Sequence, residues 1–124
     1  MTIALWCVLA AALLPYLATV MAKGGGTRFD NRLPRGWLAA QTGWRARANA
    51  AQLNSFEAFP LFAAAVLVAS AAHAPQSQLD RLALVFIAAR LAYLFAYVAD
   101  FSLIRSVVWF IGFGSAVAIF VSAA

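Results

Sequence analysis

The chain has 124 residues, of which 65% are apolar and only 10% charged, with a mean hydropathy of +0.86. Soluble domains run about 45–50% apolar and about 25% charged, so this composition excludes a water-soluble surface. A net charge of +5 and a pI near 10.4 would raise nucleic-acid binding in a soluble chain; here they report topology and an attraction for anionic lipid or an anionic substrate instead.

A helix crossing the hydrocarbon core needs about 20 mostly apolar residues, and four such segments nearly exhaust the chain: Ile3 to Ala22, Ala48 to Ala72, Leu82 to Ala99 and Leu103 to Ala123. Lipid offers the backbone no hydrogen-bond partners, so helices are expected, and the alternating pattern of a barrel is missing. The predicted fold is all-α, a single domain forming a four-helix transmembrane bundle over residues 1–124.

The first segment has no Lys or Arg ahead of its apolar run, and that run is nearly a full span, so it reads as a retained helix rather than a cleaved signal. Pro15 should only kink it, because neighbouring helices compensate the lost backbone bond. Cys7 is the one cysteine, which leaves no disulfide framework and no metal knuckle; no metal site is expected.

Between the first and second spans lie Lys23, Arg28, Arg32, Arg35, Arg45 and Arg47 against a single Asp30. Lys and Arg concentrate on the cytoplasmic side, so the 23–47 loop is predicted to be cytoplasmic. The His73 to Arg81 turn then lies outside, the Asp100 to Ser102 turn inside, and both termini outside. A short multi-pass chain of this kind suits a bacterial inner membrane. Gly24, Gly25 and Gly26 lack the Gly-Lys-Ser/Thr ending of a phosphate loop and read as flexible chain, Asp30 to Arg35 reads as a turn, and His73 as a solvated loop histidine.

Ionisable groups inside spans are costly and tend to face a bundle interior or a cavity. At about 100° per residue, Arg47, Asn54 and Glu57 fall within an arc of roughly 80°, one polar stripe descending the second span. Arg90, Tyr93 and Tyr97 share a face of the third span within roughly 60°. Glu57 and Arg90 each sit about 15 Å from the cytoplasmic end of their helix, so they are predicted to meet as a buried ion pair, since either charge alone would be uncompensated. In the fourth span, Ser102 is a plausible N-cap. Arg105 and Ser106 would then stand beside an electropositive helix start that favours anions.

These stripes outline a cytoplasm-facing pocket lined by Arg47, Gln52, Asn54, Glu57, Tyr93, Tyr97 and Arg105, suited to a small zwitterionic or anionic ligand. Four helices of this length hardly enclose such a pocket alone, so a subunit boundary, and therefore a homo-oligomer, is expected.

The run Ala51-Gln52-Leu53-Asn54-Ser55-Phe56-Glu57-Ala58-Phe59-Pro60-Leu61-Phe62 resembles the second-helix signature of the MAPEG family, the membrane-associated proteins of eicosanoid and glutathione metabolism. Asp30-Asn31-Arg32 before Pro34-Arg35, the Arg90, Tyr93 and Tyr97 helix, and Ile104-Arg105-Ser106 follow in the family's order. The resemblance covers essentially the whole chain. It implies a homotrimer that binds glutathione as co-substrate at subunit interfaces near the cytoplasmic side and acts on lipophilic small molecules arriving from the bilayer, by glutathione transfer or peroxide reduction. By the same resemblance Gln52, Asn54, Glu57, Tyr93 and Tyr97 are glutathione-binding positions, and Arg105 is the catalytic arginine that activates the thiol. Arg47 and Ser106 extend the binding set.

Two positions depart from the pattern. Ala50 stands where eicosanoid-forming members carry an arginine, with Arg47 one turn earlier as its possible substitute, and Ala58 lacks a tyrosine found after the glutamate. Two other readings compete: a small multidrug exporter, which would carry its membrane glutamate in the first span where this chain has no acid, and a non-catalytic scaffold whose polar stripes lock an oligomer.

Overall fold

The computed structural model describes residues 1–26 and 28–124. Among them are five helices and no strand: α1 (Ile3–Lys23), α2 (Pro34–Ala39), α3 (Gly43–Ala71), α4 (Gln76–Val98) and α5 (Ser102–Val121). All but α2 are long and apolar enough to cross a membrane. The all-α, four-span architecture is therefore the one the composition predicts.

The helices pack through small residues. The buried positions of α1 are Ala4, Cys7, Ala11, Leu14, Pro15, Ala18 and Ala22; those of α3 are Ala48, Ala51, Ser55, Phe62, Ala65, Val66 and Ala69. Both sets recur at helical spacing. In lipid, apolar area alone drives little helix association, so stripes of Ala and Ser that let backbones approach closely take over that role. Accordingly α1 packs chiefly on α3, α4 packs chiefly on α5, and α3 and α4 each touch the other three spanning helices. The half of the bundle remote from the 23–47 loop is sealed by Phe62 and Phe86, which stack 3.8 Å apart with planes 1° from parallel.

Several boundaries differ from expectation, each for a local reason. Helix α3 starts at Gly43 rather than near Ala48, and its added turn is held by Arg45, whose Nη2 donates to the carbonyls of Gly24 (2.9 Å) and Gly25 (2.6 Å). The glycine run is thus not free chain. Gly25 has φ +83°, a backbone conformation that disfavours any side chain, and a Cβ there would press on Arg45 Nη2 at 3.1 Å. The turn expected at Asp30 to Arg35 covers Asn31 to Leu33, and Pro34 then opens α2 at a first-turn position, where its missing N–H costs nothing. Leu38 of α2 is buried with Ala22 and Ala48, folding the loop back onto the ends of α1 and α3.

Helix α4 begins at Gln76, six residues before the apolar run, with Pro75 ahead of it. Its Asp80 Oδ1 accepts from the Ala4 backbone N–H (2.8 Å) and from Gln76 Nε2 (2.8 Å). Asp80 therefore caps α1 from another helix, satisfying one of the unpaired N–H groups of a first turn. At the other ends, α3 and α4 stop in left-handed residues, His73 (φ 57°) and Asp100 (φ 66°). Bonds from Ala74 N to Ala69 O (3.0 Å) and Phe101 N to Ala96 O (2.8 Å) close each helix in a Schellman motif. His73 is exposed, as a loop histidine should be. Ser102 is not a cap: Phe101 holds that position without a side-chain bond, and Ser102 is the first helical residue, its carbonyl accepting from Ser106 Oγ (3.1 Å).

Candidate functional site

The polar residues of the spans gather on the sides of α3, α4 and α5 that face one another. Arg90 is 4% exposed. Its Nη2 donates to Ser55 Oγ (3.2 Å), and its guanidinium lies 4.3 Å from the centre of the Tyr93 ring. Ser55 in turn donates to the Ala51 carbonyl (2.8 Å), so one hydroxyl accepts from the cation and returns its proton to the helix backbone.

Tyr93 meets Tyr97 edge-on at 5.5 Å, and Arg105 lies 4.4 Å over Tyr97. The result is a column: cation, ring, ring, cation. It runs from the buried middle of α4 to the first turns of α5. Each guanidinium faces the electron-rich side of a ring, a contact worth about 0.5–2 kcal/mol according to its exposure. The tyrosines therefore fix where both arginines point.

Glu57 does not complete the expected pair with Arg90 inside the subunit. It accepts from Asn54 Nδ2 (3.3 Å) and is exposed, whereas Arg90 is bound to Ser55. The reason is rotation: Ser55 and Glu57 are about 200° apart around the helix, and Ser55 holds the inward position. The two charges nevertheless line one cavity of 180 Å³, together with Asn54, Phe86, Trp109 and Phe113.

A second cavity of 150 Å³ is lined by Tyr93, Arg105, Ser106, Trp109 and Phe110. Trp109 forms a wall of both, stacked on Phe113 at 5.3 Å. Among the expected site residues, then, Asn54, Glu57 and Arg90 are brought together in one cavity and Tyr93, Arg105 and Ser106 in the next. Tyr97 supports Arg105 from below. Arg47 lines neither cavity; its Nε donates to the Val98 carbonyl (3.0 Å) and ties α3 to the end of α4. Gln52 is half-buried on the same helix.

Trp109 and Phe113 were missing from the expected set. They follow Arg105 at four and eight residues, so helical spacing alone places them on the arginine's face. Their uniform surroundings of apolar residues hid them.

Two buried acceptors on α3 are unpaired. Gln52 Oε1 and Asn54 Oδ1 are buried without any hydrogen-bond partner. A buried polar atom left unpaired costs about 1–3 kcal/mol. Of the two, only Asn54 lines a cavity, where a ligand N–H, such as an α-ammonium or peptide amide carries, would satisfy its oxygen. The residues present thus fit the donor-rich tripeptide that the resemblance implies.

No curated protein and no solved structure matches the chain. The family model described as "MAPEG family" matches residues 3–124. Members of that family use glutathione in membrane-bound transferase, peroxidase or related reactions. With four spanning helices, the polar column of α4 and α5, and a match over essentially its whole length, the chain belongs to the MAPEG family.

Proposed function

We propose that the protein is a membrane enzyme that ionises the thiol of glutathione at Arg105 and delivers it to a lipophilic electrophile or peroxide. The observation that carries this reading is the placement of Arg105: its guanidinium is fixed over Tyr97 in the first turns of α5, at the edge of a cavity shared with Ser106 and Tyr93. A free thiol with a pKa near 8.5 is mostly protonated at neutral pH, and a fixed cation near a helix start lowers that value and raises the thiolate fraction.

Arg105 would hold the sulfur, and Asn54 would accept from a ligand N–H group. In transfer, the thiolate lone pair forms a C–S bond while the electrophile's leaving group departs with its bonding electrons. In peroxide reduction, sulfur attacks the distal oxygen and the alkoxide leaves and is protonated. A second glutathione then closes the disulfide and releases water. Ala50 offers no cation for a ligand carboxylate, and Arg47 is tied to Val98, so any carboxylate contact must come from a neighbouring copy.

The same reading includes a homotrimer. Glu57 is a carboxylate exposed on the surface of one subunit, about 21 Å along α3 from its start at Gly43, where contact with lipid is costly. A second copy packed on α3 would cover it. We place the 23–47 loop in the cytoplasm and both termini outside, on the loop's excess of Lys and Arg.

Titration of the purified protein with glutathione tests the binding step. Binding is expected, weakened at least tenfold by Asn54→Leu, which removes a buried acceptor of the ligand. Absence of any binding to the unaltered protein would overturn the assignment.

A further inference from the structure

The stretch from the end of α1 to the first turns of α3 carries cations of two kinds. Arg45 and Arg47 are bound to backbone carbonyls, and Lys23 lies 4.3 Å over the Phe29 ring. Arg28, Arg32 and Arg35 are instead exposed. They stand on a built platform rather than a loose strand. Phe29 packs edge-on against Trp37 at 5.2 Å, Trp37 Nε1 donates to the Arg28 carbonyl (3.0 Å), and Leu38 is buried against Ala22 and Ala48.

Asp30, the only acid in the loop, turns its Oδ1 to the Arg32 backbone N–H (2.9 Å). Arg28 to Arg32 line an open surface depression, with Phe29, Asp30 and Asn31 between the two arginines. It shares no residue with the two cavities of the candidate site.

We infer that this platform is a binding site for the headgroup of an anionic phospholipid, with Arg28 and Arg32 taking the phosphodiester. Position favours a lipid over a soluble anion: the platform is anchored by Leu38 and Trp37 to the ends of α1, α3 and α4, where the spans leave the hydrocarbon. The headgroup layer occupies the next several ångströms. Exposed aromatic and basic side chains at that depth are the usual interfacial anchors, and Trp44 is half-exposed beside Gly25. Each basic residue near an anionic surface favours it by about fivefold. Arginine's planar fork matches two phosphate oxygens at once.

The test is lipid selectivity of the full chain reconstituted in bilayers, read from spin-labelled phosphatidylglycerol against spin-labelled phosphatidylcholine. The unaltered protein should prefer phosphatidylglycerol by about tenfold at low salt, and lose most of that preference in 0.5 M salt, a condition chosen because surface attraction is screened there. Arg28→Gln with Arg32→Gln should bring the preference close to one, while Arg28→Lys with Arg32→Lys, which keeps the charge, should retain most of it. Both pairs lie on exposed positions, so folding is checked by an unchanged unfolding temperature. An unchanged preference in the glutamine pair overturns the inference. Displacement of the labelled phosphatidylglycerol by millimolar inorganic phosphate or glutathione also overturns it, because the depression would then serve a soluble anion.

Discussion

Arg90 should depend on Ser55 for its place in the bundle, and Ser55→Ala measures that dependence. The mutation deletes the acceptor 3.2 Å from Arg90 Nη2 without changing shape. Ser55 is 6% exposed and Arg90 4%, so little water can replace the lost partner. A hydrogen bond to a charged group is worth about 1.5–3 kcal/mol, and leaving a buried donor unpaired costs a similar amount. Alanine returns a few tenths of a kcal/mol through better helix propensity. The expected net loss is about 1–2 kcal/mol, measured by reversible unfolding in mixed micelles. Ser55→Thr keeps the hydroxyl and should recover most of it. A double-mutant cycle with Arg90→Met isolates the pair, since residues in direct contact show coupling of about 0.5–3 kcal/mol. If Ser55→Ala is as stable as the unaltered protein, or the coupling is near zero, the Ser55 anchor is refuted.

Exchanging the charges, Glu57→Arg with Arg90→Glu, should not rescue the loss caused by either single change, because the new glutamate would face Ser55 and Tyr93; rescue measured by recovered oligomer would restore the direct ion pair. Gly112→Ala should be neutral or slightly stabilising in the same unfolding assay, since its Cβ would sit at ordinary contact, 3.6 Å from Ala89 Cβ and 3.7 Å from Arg90 Cδ, and helix propensity improves. Loss of more than about 1 kcal/mol, beyond what those contacts allow, would contradict that packing. Asp80→Ala should cost about 1 kcal/mol, a typical loss for a helix N-cap, and speed hydrogen exchange at the Ala4 amide.

The spans were legible because nothing else in the chain competes with four long apolar runs, and the boundaries were not, because polar turns extend the helices beyond those runs. The added turn of α3 depends on Arg45 reaching Gly24 and Gly25, a contact between residues 20 and 21 positions apart that no local pattern records. Helix α2 left a readable sign in Pro34. Periodicity placed Arg90, Tyr93 and Tyr97 on one face, and the structure joins them into the column that ends at Arg105. It also grouped Asn54 with Glu57, yet the inward residue of that turn is Ser55, whose small side chain lets α3 approach its neighbours while still accepting from Arg90. A charge-based reading favoured the glutamate and passed over the hydroxyl. Trp109 and Phe113 were invisible for the opposite reason, being apolar residues in an apolar helix.

The central claim is that Arg105 stabilises a thiolate. Ultraviolet difference absorbance of the purified protein mixed with glutathione near neutral pH measures it directly, because the thiolate absorbs near 240 nm on the order of tenfold more strongly than the thiol, and a lowered pKa raises its share. A saturable thiolate signal is expected, which Arg105→Ala largely abolishes and Arg105→Lys partly keeps. Glutathione bound to the unaltered protein with no thiolate signal, or a signal undiminished in Arg105→Ala, would contradict it.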